Sequence, residues 1–258
     1  MADERRPVFL APHYDDVALS CGGTVAALAD EGERPLIVTL FGGPPSGKLS
    51  AFARDMHRRW GVDADDALAA RRREEACAAD RLGAEPHWLD FSDAIYRGER
   101  YTSDPELFGD IHSSERVLPA ALGRALLSFL RARGIAADPI YVPLAVGNHV
   151  DHQHGRELGR RLAGDGYEVL AYEDYPYAGD PGGLEQVRRC VESRGSGQSL
   201  TRILTEEQLQ RRIDAVHCYA SQLAVIFRHQ GDPAASTEHW ALLRGRGRPA
   251  ERFWPLRG

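Results

Sequence analysis

The chain alternates between short apolar runs and longer segments in which apolar residues recur with a helical period. Five buried strands are predicted by the runs "PVFLAPH", "RPLIVTLFGG", "EPHWLDFSD", "DPIYVPLAV" and "YEVLAYEDY". Five helices are predicted by "DDVALSCGGTVAALADEG", "ALAARRREEACAADRLGA", "ERVLPAALGRALLSFLRARGI", "DHQHGRELGRRLAGDG" and "TEEQLQRRIDAVHCYASQL". Strands that alternate with helices are typical of an α/β fold, here a Rossmann-like, mostly parallel sheet with helices on both faces.

Residues that favour helix ends stand where these helical patterns start or stop. Gly32 and Gly83 close the first two helical segments, and glycine is the usual residue just after a helix. Pro119 indicates that the third helix begins close to it, because proline is tolerated in a first turn. Thr205 and Gln208 have the spacing of a capping box at the start of the last helix.

Two internal segments and the end of the chain fall outside both patterns. Residues 42–66 and residues 94–114 each follow a predicted strand, so both are expected to border a site at the carboxyl ends of the sheet. Residues 245–258 are rich in arginine, glycine and proline and are expected to be loosely held. We therefore predict one domain over residues 1–244 and a tail over residues 245–258.

Charge and hydropathy exclude two classes of partner. A chain of 258 residues with a net charge of −6 has no basic field to attract phosphates, so we expect no nucleic acid partner. No apolar run is long enough to span a bilayer, and "MADERRPVFL" lacks the apolar core of a signal peptide. A cytoplasmic protein without a membrane span is the expectation, and the sequence leaves a homo-oligomer open.

The cysteines are few and widely spaced. They are Cys21, Cys77, Cys190 and Cys218, and no two of them form a Cys-x-x-Cys pair. This pattern is typical of buried or incidental thiols in a reducing cytosol, so we predict no disulfide framework.

Candidate chemistry is concentrated in two polar clusters, each directly after a predicted strand. The first cluster contains His13, Asp15 and Asp16. The second cluster contains His149, Asp151, His152 and His154. Because the carboxyl ends of parallel strands share one edge of a sheet, the two clusters are expected to meet. Adjacent buried carboxylates repel each other, and a divalent cation would turn that repulsion into attraction.

Spacing alone leaves two interpretations of these clusters open. Two imidazoles and one carboxylate are a common catalytic Zn²⁺ set, which keeps one coordination position for water, and a second carboxylate can act as general base. In the other interpretation the aspartates cap helices, Asp15 or Asp16 at the first helix and Asp151 at the fourth.

One more motif, "GGPPSGK" over residues 42–48, partly matches a phosphate-binding loop. Leu49 stands where such a loop needs a hydroxyl for Mg²⁺, and two adjacent prolines remove backbone donors that should hold the phosphates. A surface loop is therefore the favoured interpretation.

The spacing of "PHYDD" and "HVDH" resembles the PIG-L/LmbE family of zinc-dependent N-deacetylases. The resemblance extends over most of the chain, because "RRREEACAADRLGA", "FSD", "AYE" and "HCYASQ" look like later segments of that family in the same order. It implies a Rossmann-like fold with an active site at the carboxyl ends of the strands.

The resemblance also implies a role for each matching residue. The expected ligands of one zinc ion per chain, or of another divalent metal, are His13, Asp16 and His152. Asp15 matches the general base. His149 matches the residue that stabilises the oxyanion or donates a proton, and Asp151 the partner that orients it. Arg71 and Asp93 match contacts to sugar hydroxyls, with a solvated arginine and a capping aspartate as the alternatives.

Three positions depart from the family pattern. Tyr14 replaces the usual proline, and Val17 replaces a glutamate that follows the paired aspartates. Some members have a catalytic tyrosine shortly before the later motif, where this chain has Gly147 and Asn148. These changes spare the expected ligands and base, so an active site is still expected, with a different pocket or substrate.

The expected activity is zinc-dependent removal of the N-acetyl group from an N-acetylglucosamine-type conjugate, with release of acetate. Two alternatives remain: an amidase acting on a sugar–thiol conjugate at the same site, and a non-catalytic sugar- or nucleotide-binding domain. The sequence does not select the group attached to the sugar. Residues 94–114 are a candidate for recognising that group, through Tyr96, Arg97, Arg100 and Tyr101, or else form a plain surface loop or an oligomer contact.

Overall fold

A seven-stranded sheet forms the centre of the protein, seen in a computed structural model that describes residues 3–45, 47–61, 64–192 and 198–258. The strands are β1 (Glu4–Ala11), β2 (Leu36–Thr39), β3 (Glu85–Trp88), β4 (Ile135–Pro143), β5 (Val169–Tyr172), β6 (Leu200–Ile203) and β7 (Ala250–Pro255). Their order is β3-β2-β1-β4-β5-β7-β6. The first five strands are parallel, and β7 runs antiparallel to both β5 and β6. The predicted mostly parallel α/β fold is confirmed.

Helices cover both faces of this sheet. They are α1 (Asp16–Asp30), α2 (Ala51–Trp60), α3 (Ala64–Leu82), α4 (Asp104–Leu107), α5 (Leu118–Ala132), α6 (Val150–Gly164), α7 (Gly183–Glu192), α8 (Glu206–His217), α9 (Ala220–Ile226) and α10 (Pro233–Arg244). The predicted capping box of Thr205 and Gln208 is present at the start of α8. Within the described residues, none of these helices has the length and apolar character needed to cross a membrane.

Strand β1 shows why the central strands are continuous apolar runs. Val8 and Leu10 pack into a core with α5 and α6, whereas Phe9 and Ala11 pack into a core with α1 and α3. All four side chains are fully buried, because side chains alternate across the sheet and both faces are covered.

The strand order reverses at β1, which lies between β2 and β4. In open α/β sheets, ligands bind at the carboxyl ends of the strands on either side of such a reversal. The chain leaves β1 at Ala11 and β4 at Pro143, so both predicted polar clusters start from this point.

Three sequence-based interpretations need comment or correction. The predicted irregular segment 42–66 contains the helix α2, whose cap Ser50 accepts a hydrogen bond from the Ala53 N–H at 3.0 Å. A phosphate loop would require the helix to start directly after Lys48, but this helix begins at Ala51. Ser46 lies outside the described residues.

The predicted loose tail is wrong, because Ala250–Pro255 is inserted in the sheet between β5 and β6. The arginine, glycine and proline residues of that segment mostly precede the strand, so composition obscured the short strand that follows.

The prediction of unpaired thiols is also wrong for two cysteines. Cys77 in α3 and Cys218, directly after α8, form a disulfide across a sequence separation of 141 residues. Cys21 is buried and not part of a disulfide. Sequence spacing could not reveal the pair, because only the packing of α3 against α8 brings the two residues together. The cytoplasmic location stays a prediction.

Reduction of this disulfide is expected to lower the free energy of unfolding by about 2–4 kcal/mol, because it closes a long loop in the unfolded chain. The melting temperature should fall by about 5–15 °C in dithiothreitol. The Cys77→Ser variant should show the same fall without reductant and no further fall with it. A melting temperature that is equal in oxidised and reduced protein would contradict the prediction.

Candidate metal and catalytic site

The segment between β1 and α1 carries the first polar cluster. The His13 backbone N–H donates to Asp16 Oδ2 at 2.7 Å, which ties that carboxylate to the end of the strand. Asp15 occupies the N-cap position of α1, yet its side chain accepts no capping hydrogen bond. Both carboxylates are buried, so the capping interpretation does not explain why two acids stand here.

The second cluster begins at the N-terminus of α6. His149 occupies the N-cap position, and its Nδ1 accepts from the Asp151 backbone N–H at 3.1 Å. The preceding turn contains Gly147 at φ 86°, where an added Cβ would lie 2.7 Å from the Tyr177 ring. A side chain at position 147 is therefore excluded both by backbone conformation and by the tyrosine that packs there.

The expected ligands His13, Asp16 and His152 lie close to one another. His13 Nδ1 lies 3.4 Å from Asp16 Oδ2, and His152 Nε2 lies 3.4 Å from Asp16 Oδ1. Two ligand atoms at about 2.1 Å from a tetrahedral ion are about 3.4 Å apart, and each imidazole lies at that distance from a different oxygen of Asp16. His152 Nε2 is buried and has no hydrogen-bond partner. A buried nitrogen without a partner, facing a carboxylate and a second imidazole, fits a divalent metal ion.

Each of these two imidazoles has a carboxylate on its other nitrogen. Asp174 Oδ1 lies 2.7 Å from His152 Nδ1, and Asp151 Oδ2 lies 3.1 Å from His13 Nε2. We assign the ring protons to those two nitrogens, which leaves lone pairs on His152 Nε2 and His13 Nδ1. A carboxylate that orients a histidine in this way is the usual outer partner of a metal-bound imidazole.

A third imidazole offers an alternative to Asp16 in the ligand set. Nitrogen atoms of His13, His149 and His152 lie within 4.8 Å of one another. We favour Asp16, because it approaches both imidazoles at 3.4 Å and brings the negative charge that a divalent cation needs. His149 already uses its Nδ1 to accept from the backbone.

Burial and neighbouring charges separate the two adjacent carboxylates. Burial alone would raise the pKa of Asp16, but the imidazoles of His152 and His13 lower it to about 2. Burial raises the pKa of Asp15, although the Arg71 guanidinium opposes that rise. Asp16 is thus held ionised, as a ligand must be, while Asp15 becomes the better proton acceptor.

The protonation state of His149 differs from the one expected of an acid. Burial, together with the nearby imidazole of His13, lowers the pKa of His149 well below its ordinary value. The neutral imidazole accepts at Nδ1, so its proton lies on Nε2 and can be donated in a hydrogen bond.

Asp151 makes different contacts from those the family pattern implies. Its side chain contacts His13 and lies 2.7 Å from Arg97 Nη1, whereas only its backbone N–H reaches His149. The role of Asp151 in orienting His149 stays a prediction, and the observed side-chain contact adds the orientation of His13.

The two predicted substrate-binding residues also border this site. Arg71 Nη2 lies 3.6 Å from Asp15 Oδ2, and the Arg71 side chain is only 10% exposed. Its guanidinium packs on the rings of Tyr14 and Trp60, so the interpretation as a solvated helix residue is wrong. Asp93 caps the turn Ala94–Tyr96 through Oδ1, while its Oδ2 lies 3.7 Å from His13 Nε2.

A cavity of about 190 Å³ opens beside the two clusters. Its polar end is formed by His13, Asp15, Asp16, Arg71, Asp93 and His149. Its outer wall combines charged side chains such as Arg59, Asp104 and Arg228 with apolar side chains from three helical segments, namely Met56, Trp60, Leu107, Phe108, Val225 and Ile226. Two of the helices that carry this wall, α2 and α4, lie in the segments 42–66 and 94–114, which were expected to border the site.

Sequence reasoning missed several residues of the site. Asp174 follows β5, so it had the same signal as the first cluster, an acid just beyond the carboxyl end of a buried strand. Tyr177 lines the cavity from the same connection, and no sequence signal distinguished it. His154, the remaining member of the second cluster, is fully buried, with Nε2 3.3 Å from Glu115.

The sequence relatives of the chain are deacetylases. Residues 8–163 match the PIG-L family, described as GlcNAc-PI de-N-acetylase, and this range includes both polar clusters. The chain is 33% identical over 193 residues to the 2′-N-acetylparomamine deacetylase of Niallia circulans, with 68% of each chain covered. It is 34% identical over 224 residues to the enzyme of the same name from Streptomyces fradiae, covering 84% of this chain and 73% of that one.

Solved structures with this fold include antibiotic deacetylases. The zinc-inhibited form of teicoplanin deacetylase superposes with a TM-score of 0.82 at 25% identity, over 97% of both chains. The A40926 pseudoaglycone deacetylase superposes with a TM-score of 0.79 at 26% identity, over 98% of this chain and 97% of that one. The similarity covers the whole sheet, including the strands beyond residue 163.

Proposed function

Because the chain belongs to the PIG-L family of GlcNAc-PI de-N-acetylases, we propose that it hydrolyses the N-acetyl amide of an amino sugar conjugate and releases acetate. The proposed ligands of one Zn²⁺ ion are His13, Asp16 and His152. The proposed base is Asp15, and His149 is proposed to donate a hydrogen bond to the developing oxyanion.

One observation carries this proposal. The unpartnered, buried Nε2 of His152 and the Nδ1 of His13 both lie 3.4 Å from Asp16, while the second carboxylate, Asp15, borders the same cavity. Two adjacent desolvated acids beside an unpaired imidazole nitrogen are costly in a purely structural site, and a bound cation would offset that cost.

When bound, a divalent metal lowers the pKa of water to about 7 and polarises a carbonyl oxygen. In the proposed reaction Asp15 accepts a proton from the attacking water, whose oxygen forms a bond to the acetyl carbon. The Nε2–H of His149 donates to the carbonyl oxygen as negative charge develops there. Asp15 then returns the proton to the amide nitrogen as the carbon–nitrogen bond breaks, leaving acetate and a free amine.

The sugar hydroxyls are proposed to contact Arg71 and Asp93 at the polar end of the cavity. Arg71 would donate through its guanidinium, and Asp93 would accept through Oδ2, because Oδ1 already caps a turn. The fully buried Asp151 is kept out of reach of the substrate by its contacts to His13 and Arg97.

Direct tests of the function are metal content and acetate release. Purified protein is expected to contain about one Zn²⁺ per chain and to release acetate from N-acetylglucosaminides. Amide conjugates of sugars and thiols, offered in parallel, would identify the amidase alternative by release of the other acid. Protein without bound metal and without hydrolysis of any of these substrates would contradict the proposal and favour a binding domain.

The apolar outer wall supports a finer proposal, that the sugar carries an apolar attached group. Val225 and Ile226 from α9, with Trp60 from α2, are partly exposed beside the polar end of the cavity. Removal of such side chains from water by an apolar group contributes about 25 cal/mol per Å², so this wall would favour an alkyl or aryl glycoside over the free sugar.

An alkyl or phenyl glycoside of N-acetylglucosamine is expected to have a kcat/KM at least about tenfold above that of the free sugar, because a buried apolar group contributes roughly 1.5 kcal/mol or more. Val225→Asp should remove most of this advantage and leave turnover of the free sugar nearly unchanged. Val117→Asp, at a residue that is 73% exposed, is the matched control and should change neither value. Equal kcat/KM for both substrates in the wild type would refute the proposed subsite.

A further inference from the structure

We propose that Arg97 is a positioning residue that holds Asp151 against His13 and thereby directs the free nitrogen of His13 toward the metal. The proposal rests on the metal site proposed above. Arg97 directly follows the turn Ala94–Tyr96, in a segment for which the sequence suggested recognition of the substrate's attached group. Its side chain points inward instead and is only 10% exposed.

Asp151 is held at both of its carboxylate oxygens. Arg97 Nη1 lies 2.7 Å from Oδ1. Oδ2 lies 3.1 Å from His13 Nε2 and accepts from the Ala94 backbone N–H at 3.0 Å. Oδ1 faces the Arg97 cation without hydrogen-bond geometry, whereas Oδ2 makes both hydrogen bonds, so a carboxylate that turned away from His13 would lose contacts to buried groups.

Arg97 is in turn fixed by a second carboxylate. Its Nε and Nη2 lie 2.9 Å and 3.1 Å from the two oxygens of Glu115, and its Nη1 donates to the Ser92 carbonyl at 3.0 Å. Tyr101 donates to Glu115 at 2.9 Å from the other side. A paired contact of this kind sets the plane of a guanidinium, which a lysine could not reproduce.

The contact matters because His13 has two acceptors within reach. Its Nε2 lies 3.1 Å from Asp151 but also 3.7 Å from Asp93, which borders the open cavity. Without Arg97, Asp151 would be a fully buried carboxylate that has lost its cation, and such a group is strongly destabilised. The geometry that keeps His13 Nδ1 toward Asp16 would then no longer be enforced.

The test is the affinity of the protein for Zn²⁺ alone, measured by competition with a chromogenic chelator and without substrate. Arg97→Gln is expected to bind Zn²⁺ about 10–100-fold more weakly, as is usual when an outer partner of a ligand is lost. Arg97→Lys should recover part of this loss, because it keeps the charge but not the paired contact to Glu115. Arg116→Gln, at an exposed arginine of the same segment, is the control and should bind as the wild type does.

A double-mutant cycle separates positioning from general destabilisation. In an Asp151→Asn background, Arg97→Gln should cause little further loss of Zn²⁺ affinity, since it acts through that carboxylate. Additive losses, or wild-type affinity in Arg97→Gln, would overturn the proposal. If Arg97→Gln does not fold, Glu115→Gln replaces it in the same cycle, and unchanged affinity there would overturn the proposal equally. A wild-type protein that binds no Zn²⁺ would overturn the proposed function itself, and this proposal with it.

Discussion

Replacement of His152 by alanine is expected to lower Zn²⁺ affinity by more than about 100-fold and to abolish measurable acetate release. Loss of an outer partner alone typically costs about 10–100-fold in affinity, and loss of a ligand should exceed that. The expected cause is direct, because the Nε2 of this residue is the buried nitrogen that has no protein partner. Zn²⁺ binding by chelator competition and acetate release by an enzyme-coupled assay would measure the two effects.

Two further variants make this result specific. Asp174→Asn keeps a side chain of the same size against His152 Nδ1 but replaces the carboxylate, so its affinity should fall between those of the wild type and His152→Ala. His217→Ala, at an exposed histidine of α8, should bind Zn²⁺ as the wild type does. Full metal content in His152→Ala would refute the proposed ligand set and favour His149 in its place.

Replacement of Asp15 by asparagine is expected to reduce kcat by about 10²–10⁴ while Zn²⁺ remains bound. Asparagine has nearly the same shape, so the packing against Arg71 is kept, but it cannot accept the proton of the attacking water. The metal site should persist, since Asp16 and not Asp15 lies 3.4 Å from both imidazoles. Metal content and kcat, determined on the same preparation, would measure the two quantities.

Asp93→Asn is the matched comparison, because it changes another buried acid of the same cavity. Its proposed contact is to a sugar hydroxyl, so KM should rise by about tenfold, the value of a lost hydrogen bond to a charged group, with a smaller change in kcat. An Asp15→Asn protein that has lost its metal, or that retains wild-type kcat, would contradict the division of roles between the adjacent carboxylates.

The departures from the family pattern have structural explanations at two positions. Tyr14 donates to the Gly42 carbonyl at 2.8 Å and supports the Arg71 guanidinium with its ring, 5.0 Å away. At Gly147, which with Asn148 stands where the family pattern can have a tyrosine, the ring of Tyr177 occupies the adjacent space. Val17 is buried in the apolar core around α1, and nothing else in the structure explains the loss of the usual glutamate there.

The pattern of apolar and polar residues along the sequence was enough to predict the central strands and the polar clusters that follow them. The strands β1, β2, β4 and β5 contain continuous apolar runs because both faces of the sheet are covered there, and that requirement can be detected without coordinates. The clusters after β1 and β4 could be predicted to meet, because parallel strands present their carboxyl ends along one edge. The proposed ligand set of His13, Asp16 and His152 rests on the resemblance to a family together with that edge.

Tertiary packing alone decided the features that join segments remote in sequence. Asp174 and Asp151 orient two imidazoles, Arg97 contacts Asp151 from another loop, and Cys77 pairs with Cys218 across 141 residues. The last strand could not be predicted for the same reason, since its short mixed sequence becomes a strand only when β5 and β6 offer it hydrogen bonds on both sides. A short-range sequence pattern indicates which face of a helix or strand is buried. It does not indicate which charged residue, thiol or strand from a distant part of the sequence will pack against that face.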